Sequence, residues 1–483
     1  MIRFDRSIFM LGFGAVARCT LPLLLKHINI DPKHITIMDF VDNRSYLKDY
    51  LEQGITYVIN KLTKDNYQEI LSQHLKAGDL FIDLSWNVDT ISLLQWCYEH
   101  NVLYINSSIE EWEPYQDVEN TPPENLTLYY RHMKIEKMIS TWTKPSATAI
   151  VDHGANPGLV SHFTKQALID LAQQLLKDDK ADKKIELEAA LSNNHFPRLS
   201  LLTQTKVIHI SERDTQIINK PKQVNEFVNT WSIEGLIEEG MAPAELGWGT
   251  HEKMLPKGAH THNHGPQNQI LLSSMGMNTL VRSWVPSGPI IGMVIRHGEA
   301  YGISERLTVW EQGRAIYRPT VYYAYCLNDS ALSSLYEFRM RDFVLQPKKR
   351  IMYDEITSGA DEIGCLLMGH AYHSWWIGSV LDIEQTRKLI PGQNSTTLQV
   401  AISIVAAAVY AITNPNQGFC LPDDIDHTQI LTIAKPYLGE FISRPVNWKP
   451  VDRPNQFLVF DKKMPATDDI WQFSTFLVKN DVY

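Results

Sequence analysis

The residues best suited to chemistry in this 483-residue chain begin near its first amino acid. An apolar, strand-like run, IFMLGF, leads into Gly12, Phe13, Gly14, Ala15, Val16 and Ala17, a GxGxxA pattern that opens a helix. Each position has a physical task. Gly12 permits the tight turn, Gly14 lets the backbone approach a pyrophosphate, and the small Ala17 allows close helix–strand packing. The helix N-terminus supplies free N–H groups and partial positive charge. Asp39 ends the next expected strand, where a carboxylate accepts hydrogen bonds from a ribose 2′-hydroxyl and repels a 2′-phosphate. The dinucleotide expected is therefore NAD. Arg44, a few residues on, is the feature that would favour NADP, and a Gly-rich turn without a ligand is the plain alternative.

Polar residues at two further strand ends come next. Ser85, Trp86, Asn87 and Asp89 follow LFIDL; Asn106, Ser107, Ser108 and Glu110 follow VLYI. Ligands of open α/β sheets bind beyond the carboxyl ends of the strands, so nicotinamide and substrate should meet here; helix capping is the alternative task. Residues 231–252, WSIEGLIEEGMAPAELGWGTHE, hold five Glu (234, 238, 239, 245, 252), two Trp (231, 248) and neither Lys nor Arg. Three glycines after position 239, with Pro243, predict a loop. Carboxylates grouped with indole rings suit an ammonium ligand, through charge pairing and cation–π attraction; a solvated acidic loop over packed Trp is the alternative. Glu212 stands in HISERDT, where a strand-end pair with Arg213 would also explain it. His297 and Glu299 in VIRHGEA follow an apolar strand and are placed for proton traffic. His260, His262 and His264 alternate along AHTHNHG, but no fourth ligand accompanies them and no metal site is expected. GxSxG, HExxH and GxxxxGK[ST] do not occur, which removes the usual hydrolase, zincin and P-loop readings.

The elements that must position these residues follow a βαβ rhythm over 7–110, with strands apolar on both faces as a covered parallel sheet requires. Residues 185–325 hold several expected strands punctuated by Gly and Pro. The fold class expected is α/β, a Rossmann-type doubly wound parallel sheet, plus a second α+β domain with a mixed sheet. The division expected is 1–150 for the dinucleotide and 151–483 for substrate and dimerisation, with the apolar helix at about 395–412 packing back toward the first domain. TPPENLT (121–127) reads as a break, and KDDKADKK (177–184) as a charged, mobile connector. Apolar residues at 44% and charged residues at 21% describe a globular chain, and a formal charge of −10 argues against a phosphate-tracking nucleic-acid binder. Five cysteines without CxxC spacing read as reduced thiols. Leu398–Ile412 falls short of the roughly 20 residues a bilayer span needs. The two Arg before the first apolar run mimic a signal peptide, but Gly12 and Gly14 break that run, so a cytoplasmic protein is expected.

Several blocks together, GFGAVA, HGANPG (153–158), VIHISERDTQ (207–216), NTWSIEG (229–235), PAELGWGTHE (243–252) and VIRHGEA (294–300), resemble the bacterial homospermidine synthases. Their wider relatives are the saccharopine-dehydrogenase-like reductases. The resemblance implies a transferase that uses NAD redox-neutrally. Putrescine is oxidised to an imine, a second amine attacks, ammonia leaves, and the new Schiff base is reduced to homospermidine; spermidine as donor would release diaminopropane. It also implies roles. Trp231 faces the reacting cationic centre, Glu239 binds an amine, and Asn156 and Glu212 hold the amine near the nicotinamide. His297 and Glu299 line the chamber, Asp89 and Glu110 guide the outer amine, and Pro157 joins Ser85, Asn87, Asn106 and Ser107 around the cofactor. Glu239 is preferred over Glu238 by its spacing from Trp231; Trp248 receives no role. The family is typically dimeric, so a homodimer is expected, with neither nucleic acid nor membrane as partner. Two other readings stand beside this one. A saccharopine- or carboxyspermidine-type NAD(P)H reductase would need an arginine clamp, for which Arg198, Arg282 and Arg296 are available. A catalytically silent diamine sensor would bind without releasing ammonia.

Overall fold

The computed structural model describes residues 1–114, 116–451 and 469–478. Its first sheet has seven strands, in the order Phe419–Cys420, Ala149–Ile150, Leu103–Asn106, Leu80–Asp83, Ile8–Leu11, Ile35–Asp39 and Thr56–Ile59. Every neighbouring pair is parallel. The four central strands are buried on both faces, as their unbroken apolar runs require. The chain leaves Ile8–Leu11 toward one edge and returns to its other side at Leu80–Asp83. That reversal opens a crevice at the carboxyl ends of these two strands, beside the glycine turn.

The edge strand Phe419–Cys420 arrives from far down the chain, after the helix Ser395–Thr413. Asn394 caps this helix, accepting from the Thr397 N–H at 2.8 Å. A helix apolar all round must be buried all round, and this one packs along Ala15–His27 and beneath Leu103–Asn106. It is the one helix among the described residues long and apolar enough to cross a membrane, and 78% of that stretch is buried.

The second sheet has ten strands and is mixed. Its main path runs Ala259–Thr261, Gln269–Met275, Pro243–Gly247, Thr320–Cys326, Val207–Asp214, Ala360–Met368, Ser374–Asp382 and Glu440–Val446, with the hairpin Leu280–Val285/Gly288–Met293 branching from Thr320–Cys326. Thr320–Cys326 and Val207–Asp214 are parallel, Tyr325 opposite Glu212. Side chains alternate across the sheet. Ile208, Ile210, Tyr323 and Tyr325 enter the core shared with the helix Leu159–Lys177; Val207, Tyr322 and Ala324 enter a second core beneath Trp471, Phe473 and Phe476. All five cysteines are free thiols.

One local expectation is corrected. The acidic stretch expected as a loop contains the helix Ile233–Met241, capped by Ser232, followed by the strand Pro243–Gly247. Its glycines serve packing rather than turning: a Cβ on Gly235 would lie 3.0 Å from the Trp231 ring, and one on Gly240 2.9 Å from Met277. KDDKADKK is the charged connector expected, joining the helices Leu159–Lys177 and Lys184–Ser192. The run AIYRPTVYYAYC forms two strands, Arg314–Tyr317 and Thr320–Cys326, divided at Pro319, which has no N–H for a ladder.

Candidate active site

The glycine turn is shaped for an anion. Gly12 has φ +85°, and a Cβ there would press to 2.6 Å from the Leu84 carbonyl oxygen. A Cβ on Gly14 would meet nothing within 4 Å, so open space lies directly over the backbone. The helix Ala15–His27 starts without a side-chain cap, which leaves its first N–H groups for a ligand. Asp39 is anchored at the turn, its Oδ2 accepting from the Phe13 N–H at 2.6 Å and its Oδ1 from the Val41 N–H at 2.9 Å. Arg44 is held at the surface by Asp42, at 2.7 Å. These residues fit a pyrophosphate over Gly14 and a ribose diol at Asp39, with Ala15 and Val16 opening the helix beneath them.

At the neighbouring strand ends, the fold itself occupies several of the expected ligand residues. Ser85 Oγ donates to Asp83 at 2.5 Å. Asp89 caps the helix Thr90–His100, its Oδ2 accepting from the Ser92 N–H at 2.7 Å. Asn106 is buried and ties its own loop to the segment at Asp152: its Nδ2 donates to the Ser108 carbonyl at 2.8 Å, and its Oδ1 accepts from the Asp152 N–H at 2.9 Å. Asn87 differs: it sits at φ +57° with its Oδ1 buried and without a hydrogen-bond partner. Ser107 lies against Gly154 in the turn His153–Gly158, which closes through the Gly154 N–H to the Pro157 carbonyl at 2.6 Å. That turn brings Pro157 and Asn156 to the crevice.

Facing this crevice, the second domain presents a cluster of titratable groups. His297 Nε2 lies 3.1 Å from Glu239 and its Nδ1 lies 3.4 Å from Glu299. Burial would lower the imidazole pKa, but Glu299 and Glu239 together raise it well above the ordinary histidine value. Glu212 is buried; its Oε2 accepts from the Tyr323 hydroxyl at 2.6 Å. Burial pushes the Glu212 carboxyl up to about 8, against the opposing pull of that hydrogen bond. Glu110, from the first domain, is pushed up to about 7, chiefly by burial and next by Glu238. Both oxygens of Glu299 are buried without a hydrogen bond. Trp231 donates its indole N–H to the Tyr325 hydroxyl at 3.0 Å, which fixes the plane of the ring.

The five glutamates of the acidic stretch separate completely. Glu234 pairs with Lys349 at the surface. Glu245 accepts from the Leu128 and Tyr129 N–H groups at the start of the helix Leu128–Ile139. Glu252 accepts from Thr320 and from the Phe473 N–H. Glu238 binds Arg296 at 3.0 Å, stands 3.6 Å from Arg131, and accepts from the Trp86 indole across the domain junction at 3.1 Å. Only Glu239 turns to His297. Consecutive positions on a helix point about 100° apart, so the pair divides between a buried arginine and the chamber. Trp248 packs edge-on against Phe473, away from this cluster. The three histidines of AHTHNHG do not converge on one point: His260 contacts Ser273, while His262 stacks on Tyr129 at 4.1 Å.

Sequence reasoning missed Tyr323 and Tyr325, which it took as apolar strand residues. Their odd-numbered spacing in VYYAYC was the available signal, since alternate residues share a face. It also missed that Arg296 is committed to Glu238. Arg198, another possible clamp, pairs with Glu311 at 3.4 Å.

Comparison with known proteins agrees with this geometry. Residues 8–150 match the saccharopine dehydrogenase NADP binding domain, and residues 154–446 match the saccharopine dehydrogenase C-terminal domain. The chain is 37% identical to the homospermidine synthase of Blastochloris viridis, over 99% of this chain and 98% of that one. It is likewise 37% identical to the homospermidine synthase of Mesorhizobium japonicum, over 98% and 96%. The crystal structure of homospermidine synthase from Legionella pneumophila in complex with NAD superposes with a TM-score of 0.87 at 34% identity, covering 99% of each chain. Saccharopine dehydrogenase from Saccharomyces cerevisiae shares the fold alone, with a TM-score of 0.53 at 10% identity. With near-complete coverage of two such relatives and both domains matched, this chain belongs to the homospermidine synthase family.

Proposed function

We propose that the chain is an NAD-dependent homospermidine synthase, joining two putrescines into homospermidine with loss of ammonia, and that it works as a cytoplasmic homodimer. The observation that carries the reading is the charge of the chamber. Glu239 and Glu299 flank the His297 imidazole, Glu212 interacts with His297 and Glu299, Glu110 with Glu239, and the Arg296 guanidinium is paired with Glu238. One imidazolium balances only part of this negative charge, carboxylates held away from water are costly unless paired, and a diamine supplies further cations. A reductase for a carboxylate substrate would place an arginine where these glutamates stand.

Bound NAD would accept a hydride from the amine-bearing carbon and return it once the second amine has coupled. Asp39 beside the glycine turn, with Arg44 held by Asp42, favours NAD over NADP. The chain's own residues do the rest. Glu212, with a proton affinity near pH 8, takes the proton that an ammonium must lose before its nitrogen can push electrons toward the carbon. Glu239 holds an ammonium, and the indole face of Trp231 stabilises positive charge at the reacting carbon–nitrogen bond. Asn156, Asn87 and Pro157 orient substrate and nicotinamide toward each other. His297, kept protonated between Glu239 and Glu299, returns a proton to departing ammonia. Glu110 and Asp89 guide the outer amine. Spermidine serves as an alternative donor, releasing diaminopropane.

The test is incubation with putrescine and a trace of NAD, with products quantified by mass spectrometry. Equal homospermidine and ammonia, many turnovers per NAD and no accumulating NADH are expected. Product only with added NADH and a carbonyl partner would overturn the reading in favour of a net reductase. Diamine binding without turnover would overturn it in favour of a sensor.

A further inference from the structure

One strand connects four of the proposed site residues, through two side chains that the reaction scheme above does not use. Tyr323 and Tyr325 project from Thr320–Cys326 on the same face and stack, with ring centroids 5.1 Å apart and planes 15° apart. The Tyr323 hydroxyl donates to Glu212 Oε2 at 2.6 Å. The Asn156 carboxamide lies beside that same hydroxyl. The Tyr323 ring also packs on the His297 imidazole, centroid to centroid at 4.5 Å. Tyr325 accepts the Trp231 indole N–H at 3.0 Å. Both tyrosines are buried, and burial pushes both hydroxyls well above the ordinary tyrosine range, so each stays a neutral donor.

We infer that Tyr323 is the positioning residue of the site, holding Glu212 by one oxygen so that its other oxygen meets the amine, and holding His297 by its ring, while Tyr325 sets the indole plane of Trp231. The chemistry of the groups fixes the sense of the first contact. A carboxylate only accepts and a neutral phenol donates, so Oε2 is occupied and Oε1 remains the basic atom. The parallel register explains why one strand can do this: Tyr325 lies opposite Glu212 and Tyr323 opposite Ile210, all four on the core face. Tyr323 therefore meets Glu212 diagonally across the pair, with its ring continuing toward the His297 loop.

The inference rests on the proposed function, and the wild type separates the two. Homospermidine formation by the wild type tests the function; comparison of variants with it tests the positioning. Tyr323→Phe keeps the ring and removes the hydroxyl. It is expected to lower kcat/KM for putrescine about 10- to 100-fold, mostly in kcat. The acid limb of its pH profile should move to higher pH, because the lost hydrogen bond was holding the Glu212 pKa down. Glu212→Gln provides the second measurement. In that background Tyr323→Phe should add less than about 3-fold, since both changes remove one function. Tyr325→Phe should leave the pH profile in place and raise KM, through Trp231. A Tyr323→Phe enzyme that melts like the wild type and keeps its pH profile would overturn the inference. Full additivity with Glu212→Gln would overturn it too.

Discussion

The two halves of the site are built by opposite means. On the first sheet, the cofactor turn is made of backbone: Gly12 at φ +85°, an uncapped helix start and open space over Gly14, with one carboxylate, Asp39, fastened to it. On the second sheet, the chamber is made of side chains from distant segments, where Glu212, Glu239, His297, Glu299 and Tyr323 meet from four separate stretches of sequence. A backbone site tolerates changes of side chain but not an added Cβ. A side-chain site tolerates small steric changes but not the loss of a charge. The comparison teaches that specificity for a cofactor and specificity for a diamine fail in different ways.

The largest effect should come from the adjacent glutamates. Glu239→Gln removes the carboxylate proposed to hold an ammonium beside His297, a pairing worth about 2–5 kcal/mol. Steady-state kinetics should show kcat/KM for putrescine falling by about 100-fold or more, with little change in melting temperature. Glu238→Gln should invert that pattern. It removes the negative charge paired with Arg296, so calorimetry should show a loss of about 3 kcal/mol of stability, with a smaller effect on turnover.

The glycines give the matching pair on the first sheet. Gly14→Ala places its methyl group in the open space of the cradle, so fluorescence titration should show NAD binding weakened about 10-fold while stability stays within about 0.5 kcal/mol. Gly12→Ala must strain φ and displace the Leu84 carbonyl, which should lower stability by about 1–3 kcal/mol as well as weakening NAD. Equal stability loss in the two variants would erase the contrast between turn and cradle.

The subtlest effect is in pH. Glu212 must be ionised to take a proton from an ammonium, and burial has raised its pKa to about 8. The carboxylate therefore populates as pH rises, and kcat/KM should climb to a plateau above about pH 8 rather than near neutrality. A pH–rate profile of the wild type checks this, and Glu212→Gln should remove that limb.

These differences also explain what was legible in the chain. The glycine turn and Asp39 are local patterns, since spacing along one strand–turn–helix unit specifies them, and the structure places them at the switch point of the sheet. The strand ends were legible as a place. Asn106, Ser85 and Asp89 are the polar types that both ligands and caps require, and here their side chains brace the loops. The choice between Glu238 and Glu239 depends on the phase of a helix whose glycines read as a loop, because glycine signals both turning and close packing. Tyr323 and Tyr325 were hidden because a buried tyrosine in an apolar strand looks like core until its hydroxyl partner, 111 and 94 residues away respectively, is known.

In the proposed reaction the carbon that is oxidised is the one later reduced, by the same hydride held on one bound NAD. Putrescine deuterated on both amine-bearing carbons, turned over with NAD and an excess of unlabelled NADH, tests it most directly. Mass spectrometry should find homospermidine that retains every deuterium of its two precursors. Replacement of deuterium by hydrogen from the bulk NADH would contradict the claim.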